Sequence, residues 1–69
     1  MNVEIKVNND TIKISGENNI LSLLQQLRGE KLNGLAVALN ETVVPRSQWD
    51  KIQLNQNDNL LIIQATQGG

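Results

Sequence analysis

Trp49 is the only aromatic residue in this chain, and there is neither a cysteine nor a histidine, so the fold has to be held by aliphatic side chains. Leucine, isoleucine and valine supply 22 of the 69 residues, enough for one core and one domain. The same absences exclude a disulfide framework, a Cys/His metal site, and thiol or imidazole catalysis. The carboxylates Glu4, Asp10, Glu17, Glu30, Glu41, Asp50 and Asp58 are scattered over predicted turns and surfaces, with no converging pair for acid–base work. No catalytic residue and no metal ligand is therefore assigned, and the chain reads as something other than an enzyme. Its basic residues, Lys6, Lys13, Arg28, Lys31, Arg46 and Lys51, form no stripe and have no aromatic platform beside them, which argues against nucleic acid. No apolar run approaches the ~20 residues needed to span a bilayer, and no secretory apolar region opens the chain. With a net charge of −1 and no cysteine, the expectation is a soluble protein of a reducing cytoplasm, with no membrane partner.

Periodicity then divides the chain. Val3, Ile5 and Val7 alternate with Asn2, Glu4 and Lys6, the pattern of a half-buried strand. Asn8-Asn9-Asp10 is turn chemistry, because Asn and Asp tolerate left-handed backbone, and Thr11–Ser15 alternates again to complete a hairpin. Gly16-Glu17-Asn18 breaks the pattern. Asn19 is placed to cap a helix over Ile20–Arg28, whose Ile20, Leu23, Leu24 and Leu27 form one stripe, and Gly29 is placed to end it. After a polar loop, Leu35–Leu39 gives a third strand, Asn40-Glu41-Thr42 a turn, and Val43-Val44 a brief strand closed by Pro45. Arg46–Trp49 reads as one turn of tight helix, with Trp49 capping the core and its indole N–H seeking a backbone partner. Ile52 and Leu54 add two buried positions before the turn Asn55-Gln56-Asn57-Asp58.

The final run, Leu60-Leu61-Ile62-Ile63, is apolar on both faces and suits the middle of a sheet, beside and parallel to the first strand. The order of elements predicts an α+β fold of the β-grasp, ubiquitin-like kind: a mixed sheet of four to five strands with one helix on one face. With only one helix, the other face must meet water. Leu60 and Ile62 are therefore assigned inward, and Leu61 and Ile63 outward as a partner-docking pair. Residues 1–65 form the domain in this reading, and residues 66–69 a flexible tail ending in Gly68-Gly69.

The run Val37-Ala-Leu-Asn-Glu-Thr-Val-Val-Pro-Arg-Ser-Gln-Trp49 resembles the central motif of the thiamine-biosynthesis sulfur carriers, where an apolar strand ending in Asn precedes Val-Pro-Arg-x-x-Trp. The apolar last strand followed by Gly-Gly is similar as well, and the resemblance spans the whole chain. Two positions depart from it. Asn57-Asp58 stands where an Asp-Gly-Asp-like turn is common, and Thr66-Gln67 is more polar than the usual pair before the diglycine. The resemblance implies that an E1-like adenylyltransferase uses ATP to activate the Gly69 carboxylate. Sulfur from a cysteine desulfurase or equivalent donor then yields a thiocarboxylate, which thiazole synthase consumes. Gly68, lacking a Cβ, would thread a narrow channel, and no cofactor would reside in this chain. Other readings remain: a carrier for molybdopterin or tRNA thiolation, a ubiquitin-like protein modifier, or an interaction module with an incidental diglycine.

Overall fold

The computed structural model describes residues 2–15, 18–29 and 31–64. The expected domain boundary near residue 65, the glycines at 68 and 69, and the break at residues 16 and 17 lie outside the described residues. The elements are β1 (Asn2–Val7), β2 (Asp10–Ser15), α1 (Ile20–Arg28), β3 (Leu35–Leu39), β4 (Thr42–Val44), a 3₁₀ turn (Arg46–Gln48) and β5 (Asn59–Gln64). The strands make one five-stranded mixed sheet in the order β2-β1-β5-β3-β4, the β-grasp arrangement. β5 lies at its centre, parallel to β1 and antiparallel to β3. Its apolar character on both faces required that place.

Two tight turns set the hairpin registers. Val7 pairs with Asp10 across Asn8-Asn9, whose φ angles of 50° and 75° are both left-handed. Leu39 pairs with Thr42 across Asn40-Glu41, at 50° and 73°. Such doubly left-handed turns match the natural twist of a hairpin, and Asn adopts them at low cost. Asn57 likewise has φ 71°, so it supplies the conformation a glycine would give at this turn.

The start of α1 is held by donors and acceptors from two parts of the chain. The Asn19 side chain accepts from the Ser22 N–H at 2.7 Å, while the Ile20 and Leu21 N–H groups donate to the carbonyls of Ile52 and Trp49, each at 3.1 Å. These partners satisfy N–H groups that a helix N-terminus leaves without intrahelical acceptors. They also dock the 49–52 segment onto the helix. At the other end Gly29 takes φ 64° and donates to the Gln25 carbonyl.

The core lies between α1 and the inner face of the sheet, and it is aliphatic around Trp49, which is 2% exposed. Leu54 is buried as expected, whereas Ile52 is only partly buried against the core, and two further positions differ from the sequence expectation. Leu27, the last member of the helical stripe, is 45% exposed. The final turn of α1 reaches the end of β5, where Arg28 meets Gln64 at 3.3 Å, and the sheet there offers a polar side chain instead of an apolar one. Conversely, Leu32, within the segment read as a polar loop, is buried in the core. It follows α1 closely, and the Leu32 carbonyl accepts from the Leu35 N–H, which turns the chain into β3.

Candidate functional site

The period-two geometry of β5 separates its side chains as expected: Leu60 and Ile62 are buried, while Leu61 and Ile63 are 47% and 50% exposed. The register across the sheet extends that outward pair. Ile63 stands opposite Ala36, Leu61 opposite Ala38, and Ala38 in turn opposite Val43 on β4, which is 73% exposed. An apolar stripe thus crosses β5, β3 and β4 on the face away from α1. The two alanines keep its middle shallow. Val43 and Ala36 were not singled out from the sequence, although Val43 can be inferred from its neighbour: once Val44 is buried, alternation sends Val43 outward.

The Val-Pro-Arg-x-x-Trp segment is structural in the fold. The Trp49 Nε1–H donates to the Val44 carbonyl at 3.0 Å inside the core, tying β4 to the 3₁₀ turn. Pro45, with φ −60°, opens that turn, and the Arg46 guanidinium lies 5.7 Å from the centre of the Trp49 ring. Arg46 itself is exposed.

A further residue went unnoticed as anything but a turn former. Asn8 accepts from the Ile62 N–H at 2.8 Å and donates to the Ile62 carbonyl at 3.2 Å, both through its side-chain amide. Beside it, Asn8, Asn9, Ala38, Glu41, Asn59 and Leu61 line a recess of about 140 Å³ at the edge of the stripe. Nothing in local periodicity reports a contact over 54 positions of sequence.

Among the described residues no helix is long and apolar enough to cross a membrane, and no cluster of carboxylates is arranged to hold a metal ion. The described part of the site is a surface: an apolar stripe that starts on β5, the strand preceding the diglycine, and runs across β3 to β4.

The fold and the stripe define a ubiquitin-like β-grasp protein whose central strand precedes a diglycine. Residues 3–69 match the ThiS family, and the chain belongs to that family. It is 30% identical over 67 residues to the sulfur carrier protein ThiS of Escherichia coli K12, covering 97% of this chain and 100% of that protein. The crystal structure of a thiamine biosynthesis protein (ThiS) from Geobacter metallireducens superimposes with a TM-score of 0.81 at 23% identity, covering 97% of this chain and 100% of that one. A solution structure of a thiamine biosynthesis protein from the same organism gives a TM-score of 0.77 at 23% identity, covering 97% and 88%. These two likenesses speak for the fold.

Proposed function

We propose that this chain is a sulfur carrier of thiamine biosynthesis, loaded and unloaded at Gly69 and acting as a co-substrate of partner enzymes. In this reading an E1-like adenylyltransferase joins the Gly69 carboxylate to the α-phosphate of ATP and releases pyrophosphate. The outer sulfur of a persulfide on a cysteine desulfurase or an equivalent donor displaces AMP to form an acyl disulfide. A thiol then cleaves that S–S bond, becoming oxidised to a disulfide and leaving a thiocarboxylate. Thiazole synthase then takes that sulfur into the thiazole ring. A carboxylate is a poor electrophile until it carries such a leaving group, and the catalytic groups for these steps belong to the partners. Leu61 and Ile63 are the docking contacts, Gly68 lets the tail pass a narrow channel, ATP is bound by the activating enzyme, and the setting is the cytoplasm.

The observation that carries this reading is the family match on a β-grasp sheet, with Gly68-Gly69 inside the matched span. The outward Leu61 and Ile63 support it, because they stand on the strand that runs toward those glycines.

The test is ATP–pyrophosphate exchange with the cognate adenylating enzyme. Removing Gly69 shifts the terminal carboxylate by about 3.5 Å, and a 1 Å misplacement of reacting groups already costs about 100-fold. Exchange is therefore expected to vanish while the thermal melt stays where it was. Normal exchange by the version without Gly69 would overturn the proposal. Intact mass spectrometry of protein from its native host adds a direct readout: oxygen replaced by sulfur, confined to the C-terminal peptide. Isopeptide-linked conjugates in its place would support the protein-modifier reading.

A further inference from the structure

We infer that Asn8 is a positioning residue, one that fixes the course of β5 on its way to the C-terminus by standing in for backbone that β1 does not supply. This rests on the proposed carrier function only for its consequence; the structural part stands by itself.

β1 and β5 pair in parallel, with Lys6 opposite Asn59 and Val7 opposite Leu60. In a parallel ladder every second residue of one strand donates to one neighbour of its opposite number and accepts from the other. The Asn8 N–H keeps that pattern, donating to the Leu60 carbonyl at 3.0 Å. The next ladder bond would run from the Ile62 N–H to the Asn8 main-chain carbonyl. At Asn8, however, φ is 50°, and the chain has already turned off toward β2. The Asn8 side-chain carbonyl accepts from the Ile62 N–H instead, at 2.8 Å. The bond after that would come from the N–H of residue 10 in a continuing strand. The Asn8 side-chain NH₂ donates it, to the Ile62 carbonyl at 3.2 Å. One amide side chain thus reproduces two successive ladder bonds, which it can do because it has the same donor and acceptor as a peptide group.

Backbone pairing of β1 with β5 stops at Leu60, so among the described residues the strand from Leu61 to Gln64 is paired by backbone on the β3 side alone. That stretch carries Leu61 and Ile63 and leads to Gly69. Asn8 pins its midpoint from the other side. Asparagine meets every demand of the position, tolerating left-handed backbone and carrying both a donor and an acceptor on a short stem.

The test compares Asn8→Gly with Asn8→Asp. Glycine accepts φ 50° without strain and removes only the amide, so unfolding through the turn is avoided; aspartate keeps the acceptor and loses the donor. Amide hydrogen exchange is read at Ile62, with Leu61 and Ile63 as internal references. In Asn8→Gly, exchange at Ile62 is expected to quicken roughly tenfold, and in Asn8→Asp by less. In ATP–pyrophosphate exchange the KM for the carrier is expected to rise in Asn8→Gly with kcat nearly unchanged, because a less constrained strand has more ordering to lose on docking. Unchanged Ile62 protection in Asn8→Gly would overturn the clamp. Faster Ile62 exchange with an unchanged KM would overturn the positioning role. If the unaltered protein supports no pyrophosphate exchange at all, the carrier reading fails, while the Ile62 measurement still decides the clamp.

Discussion

Replacing Trp49 by phenylalanine separates the two things the indole does. The side chain is 2% exposed, and its Nε1–H reaches the Val44 carbonyl at 3.0 Å. Phenylalanine keeps a flat ring in the pocket but deletes the donor, a loss of about 1 kcal/mol. It also removes apolar surface equivalent to two CH₂ groups or so, worth about 1.5 kcal/mol at 0.8 each. The expected cost is therefore about 2–3 kcal/mol. A domain of this length is stable by about 3–10 kcal/mol, so Trp49→Phe stays mostly folded at 25 °C. Trp49→Ala, at about 3–5 kcal/mol, unfolds the protein if its stability lies at the lower end of that range. The assay is urea denaturation followed by far-UV circular dichroism, since the only tryptophan is the residue being removed. Pyrophosphate exchange on the folded Trp49→Phe protein is expected to show an unchanged KM, because Trp49 reaches β4 from inside the core. A cost below about 0.5 kcal/mol, the range of an ordinary surface change, would refute the argument, and so would a large rise in KM without loss of stability.

Other perturbations test the remaining parts. Leu61→Glu and Ile63→Glu should each change stability by no more than about 0.5 kcal/mol, since both side chains already meet water, yet raise the KM in pyrophosphate exchange; collapse of the thermal melt would count against the observed faces. Glu41 holds φ 73°, where a side chain costs about 1–2 kcal/mol, and a glycine there loses about 0.5–1 kcal/mol in chain entropy. Glu41→Gly should therefore stabilise the protein slightly, seen as a rise in Tm, and a fall in Tm would show that the Glu41 side chain makes compensating contacts. Asn19→Ala removes the helix cap and should cost about 1 kcal/mol in urea denaturation, with no change in KM.

How much of this was legible in the sequence depends on where each signal originates. Asn19, Ile20–Arg28 and Gly29 could be read because a helix announces its ends through local chemistry, and the structure gives those bounds. The central place of β5 could be read because a strand apolar on both faces has nowhere else to go. The outward Leu61 and Ile63 came from counting helices: one helix covers one face. Leu27 and Leu32 were misjudged for a shared reason. Their burial depends on how far the sheet extends beneath the end of α1, which the spacing of apolar residues does not report. Asn8 was legible as a turn former only. Its second task depends on β5 lying against β1 with one particular register, and that register is a property of the assembled sheet.

That register also gives a physical reason for clamping β5 with a side chain in place of a longer β1. Continuing the pairing of Lys6 with Asn59 and Val7 with Leu60 would set residue 8 opposite Leu61 and residue 10 opposite Ile63. Because Leu61 and Ile63 face outward, the side chains of residues 8 and 10 would then stand beside them on the same face. Ending β1 at Val7 avoids this, and the recess beside Leu61 is what remains. The backbone bonds lost by stopping early are recovered by the Asn8 amide, which pairs with Ile62 without adding a side chain to the apolar stripe. On the proposed reading the arrangement serves two needs at once: β5 is held firmly enough to present the C-terminal glycines, and the flank of Leu61 and Ile63 stays open to a partner.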